Sequence, residues 1–260
     1  GAWVDGDCWG AMVDYSDAAL AAWKKETGET TAPQDPADPR WQRWMDFHRE
    51  GYRRYLRRYV DALGASHPQF QVISNWAFSG HMPEAVCAGV AALSGDFSPD
   101  DSVNSARFAG RCLENQGLPW DLMAWSFSRK TRKQKLAVQL MQEAAIVLAQ
   151  GGGFQAYFKQ DRDGAVRDMK EMEVMAEVAR FCRARQPFCH RSKAVPQIAL
   201  LYSTAGHYQS SNRLFHPSGS DGIPVLQKAL TALLEDQQAV QIVSEHHLEG
   251  KLANWPLIIV

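Results

Sequence analysis

The sequence predicts an α/β fold built on parallel sheets, in two successive parts. Three observations carry that prediction. Short apolar runs with strand character alternate with longer stretches of helical period from residue 1 to about residue 191. Each run ends in polar or aromatic residues just before the next helical stretch. After a short basic segment, Pro187 to Pro196, the texture changes and strand, helix, strand and strand follow again. Parallel strands need crossover connections, and the intervening helices supply them.

The first run, Ala2-Trp3-Val4-Asp5-Gly6-Asp7-Cys8-Trp9, reads as the end of a buried strand. Strand side chains alternate between faces, so Trp3, Asp5 and Asp7 share one face until Gly6 lets the backbone bend. A strand that ends in acids and aromatics and runs straight into a helix is how an α/β barrel presents catalytic groups at its carboxyl-terminal rim. A core strand with no partner before it also leads us to expect the back part of a larger protein. A helix from Tyr15 to Thr27 follows, and a loop with Pro33, Pro36 and Pro39 delivers a long helix from about Arg40 to Leu63. Its run from Tyr52 to Tyr59 reads as a solvated basic face with the aromatics turned inward, not as a phosphate-binding stripe.

Phe70 to Trp76 is the second strand, leading into the loop Ser79 to Glu84; Ala88 to Leu93 is the third, ending in Ser94-Gly95-Asp96-Phe97. Helix Asp100 to Gln116, strand Pro119 to Trp125 and the apolar helix Lys133 to Gln150 come next. Gly151-Gly152-Gly153 stops that helix; no Lys-Ser/Thr follows, so it is not a phosphate loop. Strand Phe154 to Phe158 and helix Met169 to Arg185 complete five β/α units. In the second part, strand Gln197 to Tyr202, helix Ile223 to Asp236, and strands Val240 to Val243 and Pro256 to Val260 read as the opening of a doubly wound sheet.

Composition sets outer bounds. The 260 residues allow one large α/β domain or two ordinary ones. A net charge of -1 with acids and bases interleaved gives no field for nucleic acid or an anionic membrane, so a neutral partner is expected. The apolar runs fall short of the roughly 20 residues that span a bilayer. Five cysteines, Cys8, Cys87, Cys112, Cys182 and Cys189, form no CxxC pair and read as buried thiols in a reducing compartment. His246-His247 lacks a HExxH arrangement. Neither a metal nor a cofactor is called for.

The order WVDGDCW, SNWAFSGHMPE, LSGDFSPDDSVNSARF, PWDLMAWSF and QEAA followed by GGGFQAYF resembles the later half of a glycoside hydrolase (β/α)8 barrel. More narrowly, it resembles bacterial α-L-fucosidase-like enzymes that join such a barrel to a β-galactosidase trimerisation-type, amidotransferase-like domain. ALLYS and SEHHLEGKLANWPLIIV are similar to the opening units of that second domain. The resemblance implies residues 1–191 as strands four to eight of a TIM barrel and residues 192–260 as an incomplete flavodoxin/amidotransferase-like domain. It further implies a carbohydrate substrate and a homo-oligomer (dimer or trimer); the bacterial cytoplasm is the expected setting, consistent with the reading of the cysteines as reduced thiols. In the related family 29 α-L-fucosidases a strand-four Trp-x-Asp holds the nucleophile, which Trp3-Val4-Asp5 matches. Their acid/base can be a Glu at the end of strand six, where this chain offers the shorter Asp96.

Glycoside cleavage passes through an oxocarbenium-like state, so one ionised carboxylate attacks the anomeric carbon while a protonated one serves the leaving oxygen. Asp5 and Asp96 are the expected pair. Asp7, on the face of Asp5, is the alternative nucleophile, and Glu84 the alternative acid/base. Asp121 at a strand start and Glu143 inside a helix are expected to be structural. Trp9, Trp76, Trp125 and Tyr157 fall near strand ends, where flat rings can stack on sugar C–H faces; Asn75 and His81 are possible hydroxyl partners on the same rim. Trp3, Trp41, Trp44 and Trp120 are assigned to the core. The resemblance thus implies a retaining exo-glycosidase acting on α-L-fucosides; a β-galactosidase-like hydrolase of the same two-domain plan is the nearest alternative, and a catalytically silent carbohydrate-binding protein the alternative from another class.

Overall fold

The computed structural model describes residues 1–5, 7–159, 162–165, 169–211, 213–215 and 222–260, with the side chain of Asp7 left outside that description. Where β-branched and aromatic residues alternate with polar ones, short strands form: β1 (Ala2–Val4), β2 (Val72–Ser74), β3 (Leu93–Asp96), β4 (Trp120–Trp125) and β5 (Gly153–Tyr157). β1 pairs with β2, and β3 with β4 and β4 with β5, all parallel. A parallel bridge from Asn75 to Ser94, with Trp76 N donating to Ser94 O at 2.8 Å, joins the two groups. Five parallel strands therefore lie side by side in chain order.

On β4, Trp120, Leu122 and Ala124 are buried while Asp121, Met123 and Trp125 on the other face are half-buried. The buried face is covered by α4 (Ser102–Glu114) and α5 (Ala137–Ala149). α5 turns Leu140, Glu143, Ala144 and Val147 inward, the spacing of one helix face. Glu143 is neutralised there by Lys135, Nζ to Oε1 at 2.6 Å, with both side chains buried. α2 (Asp17–Thr27) and α3 (Trp41–Ser66) make an aromatic core in which Trp23 meets Trp44 and Phe47 edge-on at 5.1 and 5.4 Å. Arg49 of α3 is buried, its charge taken up by Asp46 at 2.7 Å and the carbonyl of Leu214 at 2.8 Å.

The second part is a parallel sheet in the order β7-β6-β8, formed by β6 (Ile198–Leu201), β7 (Val240–Val243) and β8 (Leu257–Ile259). The chain thus passes to one side of its first strand and then to the other. α8 (Gly222–Glu235) packs against α4, and Arg111 Nε of α4 donates to the carbonyl of Val240 at 2.9 Å. Among the described residues no helix is long and apolar enough to cross a membrane.

Several expectations need correction. The third strand is Leu93–Asp96, not Ala88 to Leu93. The amide of Gly89 is drawn to Asp61 at 3.0 Å and Val90 N turns back to Ala88 O, so this Ala/Gly-rich run is a connection. The second strand is cut to Val72–Ser74: Phe70 N turns back to His67 O, and Trp76 leaves the extended region with φ 71°. The first long helix starts at Asp17, not Tyr15, because Ser16 caps it, its Oγ accepting from Ala19 N at 3.3 Å. The apolar helix starts at Ala137, because Gln134 bridges Phe127 and Lys135 is held by Ser126 and Glu143. α6 (Lys170–Cys189) continues through Pro187. Three short helices were not foreseen: α1 (Asp7–Gly10), α7 (Thr204–Ser210) and α9 (Glu245–Leu248).

Side chains also depart from expectation. Trp3 is 36% exposed and not a core residue, whereas Trp41, Trp44 and Trp120 are buried. On the basic face of α3, Tyr52 is buried but Tyr55 is 51% exposed. Cys8 and Cys112 are buried; Cys87, Cys182 and Cys189 are only half-buried.

Candidate active site

The face of β1 to β5 turned away from the helices carries layers of polar side chains. Period-two alternation selects Trp3 and Asp5, Ile73 and Asn75, Ser94 and Asp96, Asp121, Met123 and Trp125, and Gln155 and Tyr157 for this face. Strand pairing then brings the layers together. In the lower layer Trp3 Nε1 donates to Ser94 Oγ at 3.0 Å, Ser94 Oγ to Asp121 Oδ1 at 2.6 Å, and Gln155 Nε2 to Asp121 Oδ2 at 2.6 Å. Both oxygens of Asp121 are therefore engaged by neighbours on the same face.

One step towards the carboxyl ends, Asn75 stands between the two candidate carboxylates. Its Nδ2 donates to Asp5 Oδ1 at 3.1 Å and to Asp96 Oδ1 at 3.3 Å. An amide nitrogen carries two hydrogens about 120° apart, and acceptors taking one each at such lengths lie roughly 5 to 6 Å from each other. That range overlaps the separation of about 5 to 5.5 Å at which two carboxyl groups act as nucleophile and acid/base with retention. Trp125 Nε1 donates to the other oxygen of Asp96 at 3.1 Å, and its ring meets Tyr157 edge-on at 5.5 Å.

The two acids have different surroundings. Asp5 is exposed, while Asp96 is half-buried. Burial raises the pKa of Asp96 above the ordinary carboxylate range; the hydrogen bonds from Trp125 and Asn75 oppose this, and the anions Asp5 and Asp121 add to it. The shift favours a carboxyl that still holds its proton where ordinary carboxylates have lost theirs.

Trp76 and His81 have their rings 4.0 Å apart, with the Trp76 ring on the Leu122 side of Gly95; they share a cavity with Asp96 but not with Asp5. Trp76 with φ 71° and Phe78 with φ 57° both occupy the left-handed region, a strained setting for bulky side chains and typical of functional segments. Trp76, His81 and Asp96 line a cavity of about 340 Å³ with an apolar floor that includes Phe97, Phe108 and Leu122. Ile223 and Gln227, from the second part, also line it.

Other expected residues stand apart. Glu84 has both oxygens taken by Arg53, at 2.7 Å each, and also accepts from the hydroxyl of Tyr208; no described contact ties it to Asp5 or Asp96. Trp9 is 50% exposed on α1 and borders a separate cavity with Met12 and Trp41. Asp7 begins α1, and its side chain lies outside the described residues. His246 Nε2 contacts Gln116 Oε1 at 3.3 Å, and His247 Nδ1 accepts from Ser244 N at 2.9 Å. Among the described residues no group of three or more His, Cys, Asp or Glu is placed to hold a metal. Sequence reasoning passed over Ser94, Gln155 and Gln227. Strand period marks Ser94 as a neighbour of Asp96, but nothing in the sequence marks Gln227.

Comparison with known proteins bears on the fold. No family model matches the chain, nor does any curated protein. Among solved structures, α-L-fucosidase isoenzyme 2 from Paenibacillus thiaminolyticus is similar with a TM-score of 0.73 and 19% identity, over 100% of this chain and 37% of that one. A β-galactosidase from Bacillus circulans sp. alkalophilus gives 0.59 and 14% over 84% of this chain and 35% of that one. A β-galactosidase from the haloarchaeon Halorubrum lacusprofundi gives 0.57 and 13% over 90% and 41% respectively. The fold is glycoside hydrolase-like. The chain spans well under half the length of each of these enzymes.

Proposed function

We propose that this chain carries the two catalytic carboxylates of a retaining exo-glycosidase acting on terminal α-L-fucosides, Asp5 as nucleophile and Asp96 as acid/base. One observation carries the reading: a single amide nitrogen, Asn75 Nδ2, holds an oxygen of each carboxyl at 3.1 and 3.3 Å. Residues 1–191 are then strands four to eight of a TIM barrel, and residues 192–260 the opening of an amidotransferase-like domain in a homo-oligomer.

In the first step an Asp5 oxygen bonds to the anomeric carbon, while the Asp96 proton passes to the departing glycosidic oxygen as its bond to that carbon breaks. In the second step the Asp96 carboxylate takes a proton from water, whose oxygen displaces Asp5 and releases the sugar. The indole N–H of Trp125 and the Asn75 amide keep Asp96 aimed through both steps. Trp76 and His81 offer ring faces to the sugar.

The test is turnover of an aryl α-L-fucoside by the chain and by Asp5→Asn, with aryl β-galactoside alongside. Loss of fucoside turnover by at least about a thousandfold in Asp5→Asn is expected. Near-wild-type turnover in that variant would sink the assignment. The two similar β-galactosidases support a second reading, a β-galactosidase of the same plan, which a preference for the galactoside would select.

A further inference from the structure

The segment that presents Trp76 and His81 is gripped by side chains from the second part of the chain. Tyr202 OH donates to the carbonyl of Gly80 at 2.7 Å. Thr204 Oγ1 donates to the carbonyl of Pro83, and Tyr208 OH to Glu84 Oε1. From α4, Gln116 Nε2 donates to the carbonyls of Phe78 and Glu84 at 3.0 and 2.9 Å. Two residues of this segment, Trp76 and Phe78, sit in the left-handed region, and such a conformation persists only where its surroundings over-determine it. The second part supplies three of those constraints within seven residues. It also supplies Ile223 and Gln227 to the cavity wall.

We propose that Tyr202 is a positioning residue for the active site: its hydroxyl, with that of Thr204, fixes the Gly80–Pro83 backbone so that His81 packs on Trp76 beside Asp96. The role of these rings in sugar binding rests on the glycosidase reading; the positioning itself does not. The second part is thereby an integral wall of the site and not an appended module. Tyr202 suits the task because its ring is anchored, 5.8 Å from Phe108 and buried, so that its hydroxyl projects at a fixed point.

The experiment uses the full chain and three variants. Tyr202→Phe and Thr204→Val each remove one hydroxyl and keep the shape. Arg111→Met removes a different tie between the two parts, the bond to Val240 O, without touching the segment. The first readout is the ring-current shift of the His81 imidazole protons by NMR, set by the Trp76 ring at 4.0 Å. Tyr202→Phe and Thr204→Val should move these resonances towards their unstacked values, and Arg111→Met should leave them. The second readout is kinetic: KM for an aryl α-L-fucoside rises about tenfold in the two hydroxyl variants with kcat within about twofold, as for lost uniform binding. Unchanged His81 shifts in both hydroxyl variants, or an equal change in Arg111→Met, would overturn the proposal. Absence of turnover in the unaltered chain would overturn the fucosidase reading instead, leaving the His81 shifts to decide the positioning.

Discussion

Asn75 links the two proposed catalytic carboxyls through one side chain. It is 1% exposed, so its rotamer is set by packing, and its amide fixes two carboxyl groups that arrive from strands 70 and 21 residues away in sequence. Asn75→Ala removes the shared donor and leaves the acids free to swing; kcat/KM on an aryl α-L-fucoside is expected to fall on the order of a hundredfold. The assay is steady-state kinetics, and a loss below about threefold would deny Asn75 this part. Asp96 makes a separate prediction through pH. Its pKa is raised chiefly by burial, so under the proposed mechanism the proton for leaving-group departure persists above the usual carboxylate range and is lost as pH rises further. The basic limb of the kcat/KM profile should therefore lie above that range. Asp96→Asn should abolish that limb and spare substrates whose leaving groups depart unprotonated. A limb retained in the variant would assign it to another group.

At the scale of elements, the triple glycine after α5 shows how local chemistry sets register. Gly151 N donates to Leu148 O at 2.9 Å and Gly152 N to Val147 O at 3.2 Å, the paired bonds that close a helix through a left-handed residue. Gly151 has φ 86°, and a Cβ there would lie 2.2 Å from the carbonyl oxygen of Ser192; one on Gly152 would lie 2.3 Å from the Trp120 ring. Gly151→Ala should cost about 2 to 4 kcal/mol by urea denaturation, whereas Gly28→Ala, at φ 79° in open space, should cost only about 1 kcal/mol. Equal costs would mean that the close approach to Ser192 is relieved easily. The helix stop was legible in sequence because glycine's reasons are local. So were β4, β7 and the long helices, whose periods are sustained. The start of β3 was not legible: Ala88 to Ala92 is apolar but is captured by Asp61 and its own turn. Asp5 and Asp96 could be named from strand ends, but their meeting on Asn75 depends on pairing register. That register is set by packing between distant segments and leaves no mark in either one.

Across the whole molecule, the contact between the two parts buries groups whose charge responds to pH in opposite senses. Glu114 ends α4 next to Asn115, which lines a cavity with Gln241 and His247 of the second part, and burial pushes the Glu114 carboxyl up to about 7, with Arg111 opposing. Its native state holds a proton that the unfolded chain has released above about 4.5, so its contribution is full below that pH and lost as pH rises through about 7. His207 and His247 run the other way, since burial lowers each from 6.5 to about 4. They stay neutral in the fold while the unfolded chain becomes protonated, so their contribution is full above about 6.5 and lost as pH falls towards 4. Between about pH 4.5 and 6.5 two histidine protons oppose one carboxyl proton, and stability on account of these three groups should rise with pH. Glu114→Gln should make that rise steeper and gain on the order of 2 kcal/mol over the unaltered chain between pH 4.5 and 8, read from urea midpoints. His207→Asn should flatten the acid side. Parallel curves for the Glu114 variant and the unaltered chain would show that this carboxyl titrates alike folded and unfolded.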